Sequence, residues 1–427
     1  MRRSIFIRSG LFAAVLCFVG PAFANPVITP ERLKTLDANV LSYVDEAKVS
    51  NMSYGMWQSG QLTASGFRGP VHEATVQPVS DTVIHRIYSM TKPVTAIGLL
   101  ILLEEGYFAL DDPITKFLPE FEDTLVLADY DSDGEMFTYR PVRPPTMGQL
   151  LSHTAGFVYG NQGFGFLEDK LSELQPLASA TGDDLVEKVA SLPYNALPGS
   201  EFRYSISSDL QGVIIERITG ETLDTFLTRE LFEPLGMTDT GFFVEETELN
   251  RVSSVTRITD DVLIYTKEPS AGYEAQAANF FEGGQGLFST MRDYQIFATF
   301  LMNGGRLGDL RLLGEERVEL FHDNAIRYRG LPARQGANGD PAGLGYGYGV
   351  ATIEDRRLAN LNAPDGTYFW YGALGTWFWV DPENEIIFVG MMQSHSVPAH
   401  EMLKLSMNTL YEPPEPESQS TQEGSSD

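Results

Sequence analysis

Ser89 and Lys92 stand three residues apart in Ser89-Met90-Thr91-Lys92, at the head of a run that is apolar nearly all round. A serine hydroxyl is a weak nucleophile until a base takes its proton. Residues three apart at the start of a helix share a face about one turn apart, so the lysine reaches the serine. Burial disfavours the ammonium and lowers the lysine pKa until the amine can accept a proton. The helix N-terminus adds a field favourable to an oxyanion on the serine. The spacing alone is common, and its ordinary explanation is a capping serine beside a surface lysine. Val94, Ala96, Ile97, Leu99 and Leu100 argue against that here. A helix buried on every side leaves Lys92 no easy route to solvent.

Further segments accompany this pair: Leu151-Ser152-His153-Thr154-Ala155-Gly156, Pro198-Gly199 leading to Tyr204-Ser205-Ile206, and Trp370-Tyr371-Gly372-Ala373-Leu374-Gly375-Thr376. With Ile87-Tyr88-Ser89-Met90-Thr91-Lys92-Pro93 they occur in the order and spacing of one family. The chain resembles the class C β-lactamase-related serine hydrolases, and within them the bacterial carboxylesterases of β-lactamase-like fold, from about residue 30 to 411. The resemblance implies an α/β (α+β) fold of the penicillin-binding-protein transpeptidase kind: an antiparallel sheet flanked by helices, with an inserted, mainly helical domain. It implies that Ser89 forms an acyl-enzyme and that Lys92 takes its proton or holds the proton network. Tyr204, as a tyrosinate-like partner, would shuttle protons to the leaving group and activate the deacylating water. The N–H groups of Ser89 and Ala373 would form the oxyanion hole, with Gly372, Trp370 and Ile206 beside the substrate. The related motif set with S-D-N as its second element is replaced by a tyrosine version.

Two departures bear on the substrate. Ile206 stands where a class C β-lactamase has an asparagine that binds the amide side chain of a β-lactam. Trp370 stands where that family has a lysine that answers the substrate carboxylate. Isoleucine can do neither, and tryptophan offers an apolar wall and a single N–H donor. A neutral acyl ester fits better than an anionic amide, so the expected activity is that of a carboxylesterase on short or medium acyl esters. A β-lactamase, D-aminopeptidase or DD-peptidase-type amidase, a transacylase, and a non-catalytic acyl- or peptidoglycan-binding module are the alternatives. Tyr371 replaces the glycine usual at its position, which bears on pocket width.

The elements that must position these residues are legible in the periodicity. A helical stripe covers residues 30–49, and two short strands flank Ser59-Gly60 within 53–69. The buried helix covers 91–103, with Pro93 tolerated in its first turn and Gly106 stopping it. Ser207 or Ser208 is the expected cap of a helix that Gly220 ends. Further helices are expected over 222–235, 291–303 and 314–322, then strands over 346–353, 367–380 and 385–393, and a closing helix over 399–410. This pattern predicts a discontinuous sheet domain, 25–88 with 323–411, around a mainly helical domain, 89–322. Residues 412–427, rich in Pro, Glu, Ser and Gln, read as a disordered acidic tail.

Residues 1–24 read as a signal peptide: Arg2, Arg3 and Arg8, then an apolar core, then Ala22-Phe23-Ala24 before the cut. The apolar run is shorter than the roughly 20 residues of a membrane span, so no stable membrane insertion is expected and the product would be exported, periplasmic or secreted. The single cysteine, Cys17, falls in that segment, which removes disulfides and thiolate chemistry from the mature chain. The formal charge of −28 becomes −31 once those three arginines are gone, leaving 27 basic against 58 acidic residues. Such a chain repels phosphate backbones, so a small-molecule ester or amide, not nucleic acid, is the expected partner. Asp129 to Gly134 imitates the start of an EF-hand loop, but Arg140 occupies the position that needs a bidentate glutamate. The six histidines show no zinc spacing and the glycine-rich Gly343 to Gly349 lacks Walker and dinucleotide patterns, so neither a metal nor another cofactor is expected. The absence of a G-x-S-x-G elbow removes the ordinary α/β-hydrolase alternative. His153 reads as structural. The aromatic segments around 159–166 and 280–281 read as acyl-pocket lining.

Overall fold

The computed structural model describes residues 28–73, 77–160, 165–266, 280–326 and 342–413. The leader, residues 1–24 with Cys17, and all but the first two residues of the acidic tail fall outside them, as do four of the residues between Tyr159 and Phe166. A hairpin opens the sheet: Met52–Gln58 and Gln61–Arg68 are joined by Ser59 (φ 49°) and Gly60 (φ 76°). Two successive positive φ angles give a turn whose twist matches the strands it joins. The sheet has seven strands, in the order Leu344–Tyr346, Ala351–Ile353, Tyr368–Tyr371, Trp377–Asp381, Ile386–Met392, Met52–Gln58 and Gln61–Arg68. All neighbours are antiparallel. Met52 faces Met392 and Gln58 faces Ile386, so the N-terminal hairpin pairs with the C-terminal strands, as the sequence pattern requires.

The expected strand over 367–380 is instead two strands. Trp370 pairs with Phe378, and the chain reverses between them through Gly372 and Gly375, the latter at φ 100°. An unbroken aromatic, β-branched run conceals such a turn because the glycines inside it are the only local signal.

Adjacent strand residues point to opposite faces, and Phe378 and Trp379 show what covers each. Phe378 meets Tyr294 of helix Met291–Met302, ring centroids 5.0 Å apart. Trp379 donates its Nε1–H to Ser406 Oγ at 3.1 Å, on helix Ala399–Leu410. Helix Pro30–Asp45 lies on this second face, where Tyr54 stacks on Phe388 and donates to Asp37. Covering both faces hides the apolar strands Trp377–Asp381 and Ile386–Met392, all of whose residues are buried.

Between the two stretches of sequence that form the sheet comes the helical assembly built on Thr91–Glu104, in which every residue from Thr91 to Leu103 is buried. Helix Ser207–Thr219 packs against it and ends at Gly220, φ 74°. Neither Ser207 nor Ser208 caps that helix; Ile206 holds the cap position without a side-chain bond, because the serine hydroxyls are spent on Ser205 and His153. The stretch expected as one helix over 222–235 carries a π-helical turn at Thr228–Phe232. Two hairpins not expected from the periodicity, Val126–Tyr130 with Met136–Tyr139 and Val255–Thr259 with Val262–Thr266, stand on this part of the molecule. Among the described residues no helix is long and apolar enough to cross a membrane.

Candidate active site

Ser89 lies in the single turn Tyr88–Met90 that leads into the buried helix, and Lys92 lies in that helix's first turn. Tyr88 sits at φ 44°, a conformation a bulky side chain rarely takes, which turns the chain sharply just before the serine. Lys92 Nζ is 3.5 Å from Ser89 Oγ, a long contact of the kind that tightens when substrate binds. The amine also donates to Tyr159 Oη at 3.1 Å and to the Gly284 carbonyl at 2.8 Å. Lys92 is 1% exposed, and its burial pulls the pKa down to about 7 against the upward pull of Asp209 and Glu282. A lysine so placed holds an unprotonated amine at neutral pH in a substantial fraction of molecules.

Tyr204 lies on the other side of the amine, its ring centroid 4.6 Å from Lys92 Nζ and 5.5 Å from the nearly parallel ring of Tyr159. Burial pushes the Tyr204 phenol well above its ordinary pKa, and Ser89 offsets part of that rise. The hydroxyl is enclosed and makes no well-formed hydrogen bond. The tyrosinate-like state implied by the family resemblance is therefore disfavoured: a buried phenol beside other phenols keeps its proton. The group able to accept a proton at neutral pH is the lysine amine, and the tyrosine beside it is a neutral phenol.

His153 orders this tyrosine's segment. At φ 52° it turns its ring so that Nδ1 accepts the Ser205 N–H at 3.1 Å, while its carbonyl accepts the Arg203 N–H at 2.8 Å. The ring packs on Tyr204 at 5.2 Å, and burial lowers its pKa to about 3, so it stays neutral. Gly372 brings the sheet to the serine. A Cβ there would lie 2.2 Å from the Ile87 carbonyl oxygen, so only glycine allows this approach. Ala373, itself exposed, follows in an otherwise buried turn, whose own hydrogen bonds run from Gly372 N to Thr376 O and from Gly375 N to Gly372 O, leaving the Ala373 N–H outside them. Trp370 closes the wall, 5.6 Å from Tyr204 and 5.3 Å from Tyr346, with its buried Nε1 unpartnered. Ile206 is completely enclosed, its N–H bonded to Val158 O.

The β-lactamase family model matches residues 36–407. The chain belongs to the β-lactamase family. This β-lactamase-family chain is 30% identical over 363 residues to Protein Rv1367c of Mycobacterium tuberculosis, covering 83% of this chain and 88% of that one. It is 29% identical over 339 residues to Esterase EstB of Burkholderia gladioli, covering 75% and 80% of the two chains. Among solved structures, EstCE1, a hydrolase with promiscuous acyltransferase activity, matches 89% of this chain and 99% of its own with a TM-score of 0.73 at 23% identity. The protein is thus a serine hydrolase of β-lactamase fold that works through an acyl-enzyme.

Within this hydrolase the structure adds groups that sequence reasoning passed over. Tyr159 was legible only as pocket lining, yet it holds the Lys92 amine, and buried Glu168 fixes it by accepting the N–H groups of Tyr159 (3.1 Å) and Gly160 (2.6 Å). Tyr346 belongs to the aromatic wall, packed between Phe202 and Trp370. Asp209 and Glu282 set the electrostatics around the amine. The sole signal for Asp209 is an acid among the buried positions of a helix; Glu282 carries none in the sequence.

Proposed function

We propose that this protein is a carboxylesterase acting on short or medium acyl esters, with Ser89 as nucleophile, Lys92 as its base and Tyr204 as proton relay. The observation that carries this reading is the buried Lys92 amine, pKa about 7, within reach of Ser89 in a wall of Tyr204, Tyr346 and Trp370. In acylation Ser89 Oγ attacks the ester carbonyl as its proton passes to Lys92. The oxyanion rests on the N–H groups of Ser89 and Ala373, an interaction that typically contributes about 3–4 kcal/mol to the transition state. Tyr204 passes its proton to the departing alkoxide and is re-protonated by the Lys92 ammonium. Water then attacks the acyl-enzyme, its proton going to the regenerated Lys92 amine, and Ser89 leaves with a proton as the acid is released. Position 370 presents a tryptophan and position 206 an enclosed isoleucine, which supports neutral esters over anionic amides. Esterase EstB, similar over three quarters of this chain, supports the same choice. Interception of the acyl-enzyme by an alcohol in place of water is a second outcome of the same chemistry, and EstCE1's acyltransferase activity favours it.

The test uses p-nitrophenyl butyrate and nitrocefin side by side on wild type and Ser89→Ala. Ser89-dependent ester cleavage with little nitrocefin turnover is the expected result; nitrocefin turnover at comparable rates would sink the ester assignment. Adding an alcohol and finding its butyrate ester among the products would identify transacylation. We further propose export through a leader ending at Ala24, supported by the Arg2-Arg3-Arg8 region, the short apolar core and Ala22-Phe23-Ala24. A mature N-terminus at Asn25 in exported protein checks it; an intact leader there refutes it.

A further inference from the structure

The most deeply enclosed acid of the site belongs to none of the three residues assigned to the reaction. Asp209 is 0% exposed, in the first turn of helix Ser207–Thr219, five residues after Tyr204. Its Oδ1 accepts the Gly284 N–H at 2.9 Å, and its Oδ2 is enclosed with no hydrogen-bond partner. Leaving a buried carboxylate half-satisfied is costly unless a positive charge is near. The cation that answers it is Lys92, and the two make no direct ion pair: the Gly284 backbone stands between them, its N–H on Asp209 and its carbonyl on the amine.

The segment around Gly284 is built for this contact. A Cβ on Gly284 would lie 2.5 Å from Asp209 Oδ2, and one on Gly283 would lie 2.5 Å from the Ser208 carbonyl. Thr95 Oγ1 donates to Gly283 O at 2.7 Å and Leu287 N donates to Thr91 Oγ1 at 3.1 Å, strapping residues 283–287 to the helix that carries Lys92. Glu282 opens the strap. Its carboxyl is close enough to both Asp209 and Lys92 for each to act on its proton affinity, and burial raises its pKa to about 7.

We propose that Asp209, assisted by Glu282, is a positioning residue for Lys92: through Gly284 it holds the carbonyl that grips the amine, and its charge balances the lysine. The proposal rests on the assignment of Ser89 and Lys92 to the reaction. The other groups facing the amine are Ser89 from the turn that leads into its helix, Tyr159 and His153 from the segment before helix Phe166–Glu173, and Tyr204. Both tyrosines are pushed upward and stay neutral, and His153 stays neutral as well, so the two acids supply the negative charge that acts on Lys92. Burial raises both of them, Glu282 to about 7, so Glu282 carries only part of its charge there and Asp209 is the larger influence. A negative neighbour stabilises the ammonium, so Asp209 raises the pH at which Lys92 becomes a base. Removing that charge moves the step to lower pH. Asp209→Asn keeps an oxygen for the Gly284 N–H while discarding the charge.

The experiment measures the rate at which a fluorophosphonate labels Ser89 between pH 5 and 9. It needs no choice between ester and amide substrates. Wild type should show a rate rising through pH about 7. Asp209→Asn should move that limb down by about half a unit to one unit, and Glu282→Gln should move it the same way by less. Gly284→Ala, which disturbs the grip and keeps both charges, should lower the plateau about tenfold or more with the limb in place. An unmoved or upward limb in folded Asp209→Asn overturns the proposal. If that variant does not fold, an unmoved limb in Glu282→Gln overturns it equally. A wild type that never labels, with Ser89→Ala as blank, refutes the Ser89–Lys92 assignment itself, a result distinct from a limb that stays put.

Discussion

Lys92 and Tyr204 divide the proton work according to what burial does to each. Desolvation lowers a cationic acid and raises a neutral one, so the same enclosure yields a lysine near neutrality and a phenol that keeps its proton. The pH–rate profile of ester cleavage should accordingly rise through about pH 7 as Lys92 loses its proton. An acid limb well above 8 would mean that the amine is solvated. The Tyr204 hydroxyl has no well-formed bond to lose, so Tyr204→Phe should leave the melting temperature unchanged or slightly raised. Its kcat should still fall by roughly 10²–10⁴, the range typical of a lost proton-transfer group. A marked drop in melting temperature with kcat preserved would make Tyr204 a packing residue.

At the scale of elements, the site is a junction of three segments, each held by a different device. Residues 87–92 take a sharp turn into a helix buried all round; residues 203–208 are tied to His153; the turn at Gly372 comes within contact of the Ile87 carbonyl. Gly372→Ala puts a methyl group 2.2 Å from a backbone oxygen, which no rotamer can relieve. The strands must separate from the serine, at a cost of about 1–3 kcal/mol, typical of overpacking. Urea unfolding and p-nitrophenyl butyrate turnover, measured on one preparation, should fall together. Unchanged turnover would show that the oxyanion donors lie elsewhere.

On the scale of the whole molecule, the antiparallel sheet closes the chain upon itself, because Met52–Gln58 pairs with Ile386–Met392 across more than three hundred residues. Such pairing is assembled only after long loop closure, and it makes the two ends one cooperative unit. The full-length chain carries a formal charge of −28, so its acidic surface repels itself. Screening should relieve this: raising NaCl from about 20 mM to about 500 mM, which shortens the Debye length to a few ångströms, should raise the urea midpoint. A falling midpoint would show that ion pairs such as Arg251 with Asp239 outweigh the repulsion.

The chemistry on offer and most of the elements that bear it are written in short stretches of the chain. Ser89-x-x-Lys92 before an all-apolar helix, Tyr204 before a second helix, and a glycine within the last aromatic run are local patterns, and local propensity and burial decide them. The closing helix 399–410 and the hairpin at Ser59-Gly60 follow from the same local terms. What surrounds the amine is set by long-range packing. Tyr159, Gly284, Asp209 and Glu282 come from three segments far apart in the chain, and no periodicity encodes their meeting. The turn at Gly372 was hidden for a related reason: its need for glycine comes from the Ile87 carbonyl, nearly three hundred residues earlier. The protonation of Tyr204 is likewise a property of its enclosure, because desolvation is measured by what packs around a group and not by its neighbours in sequence.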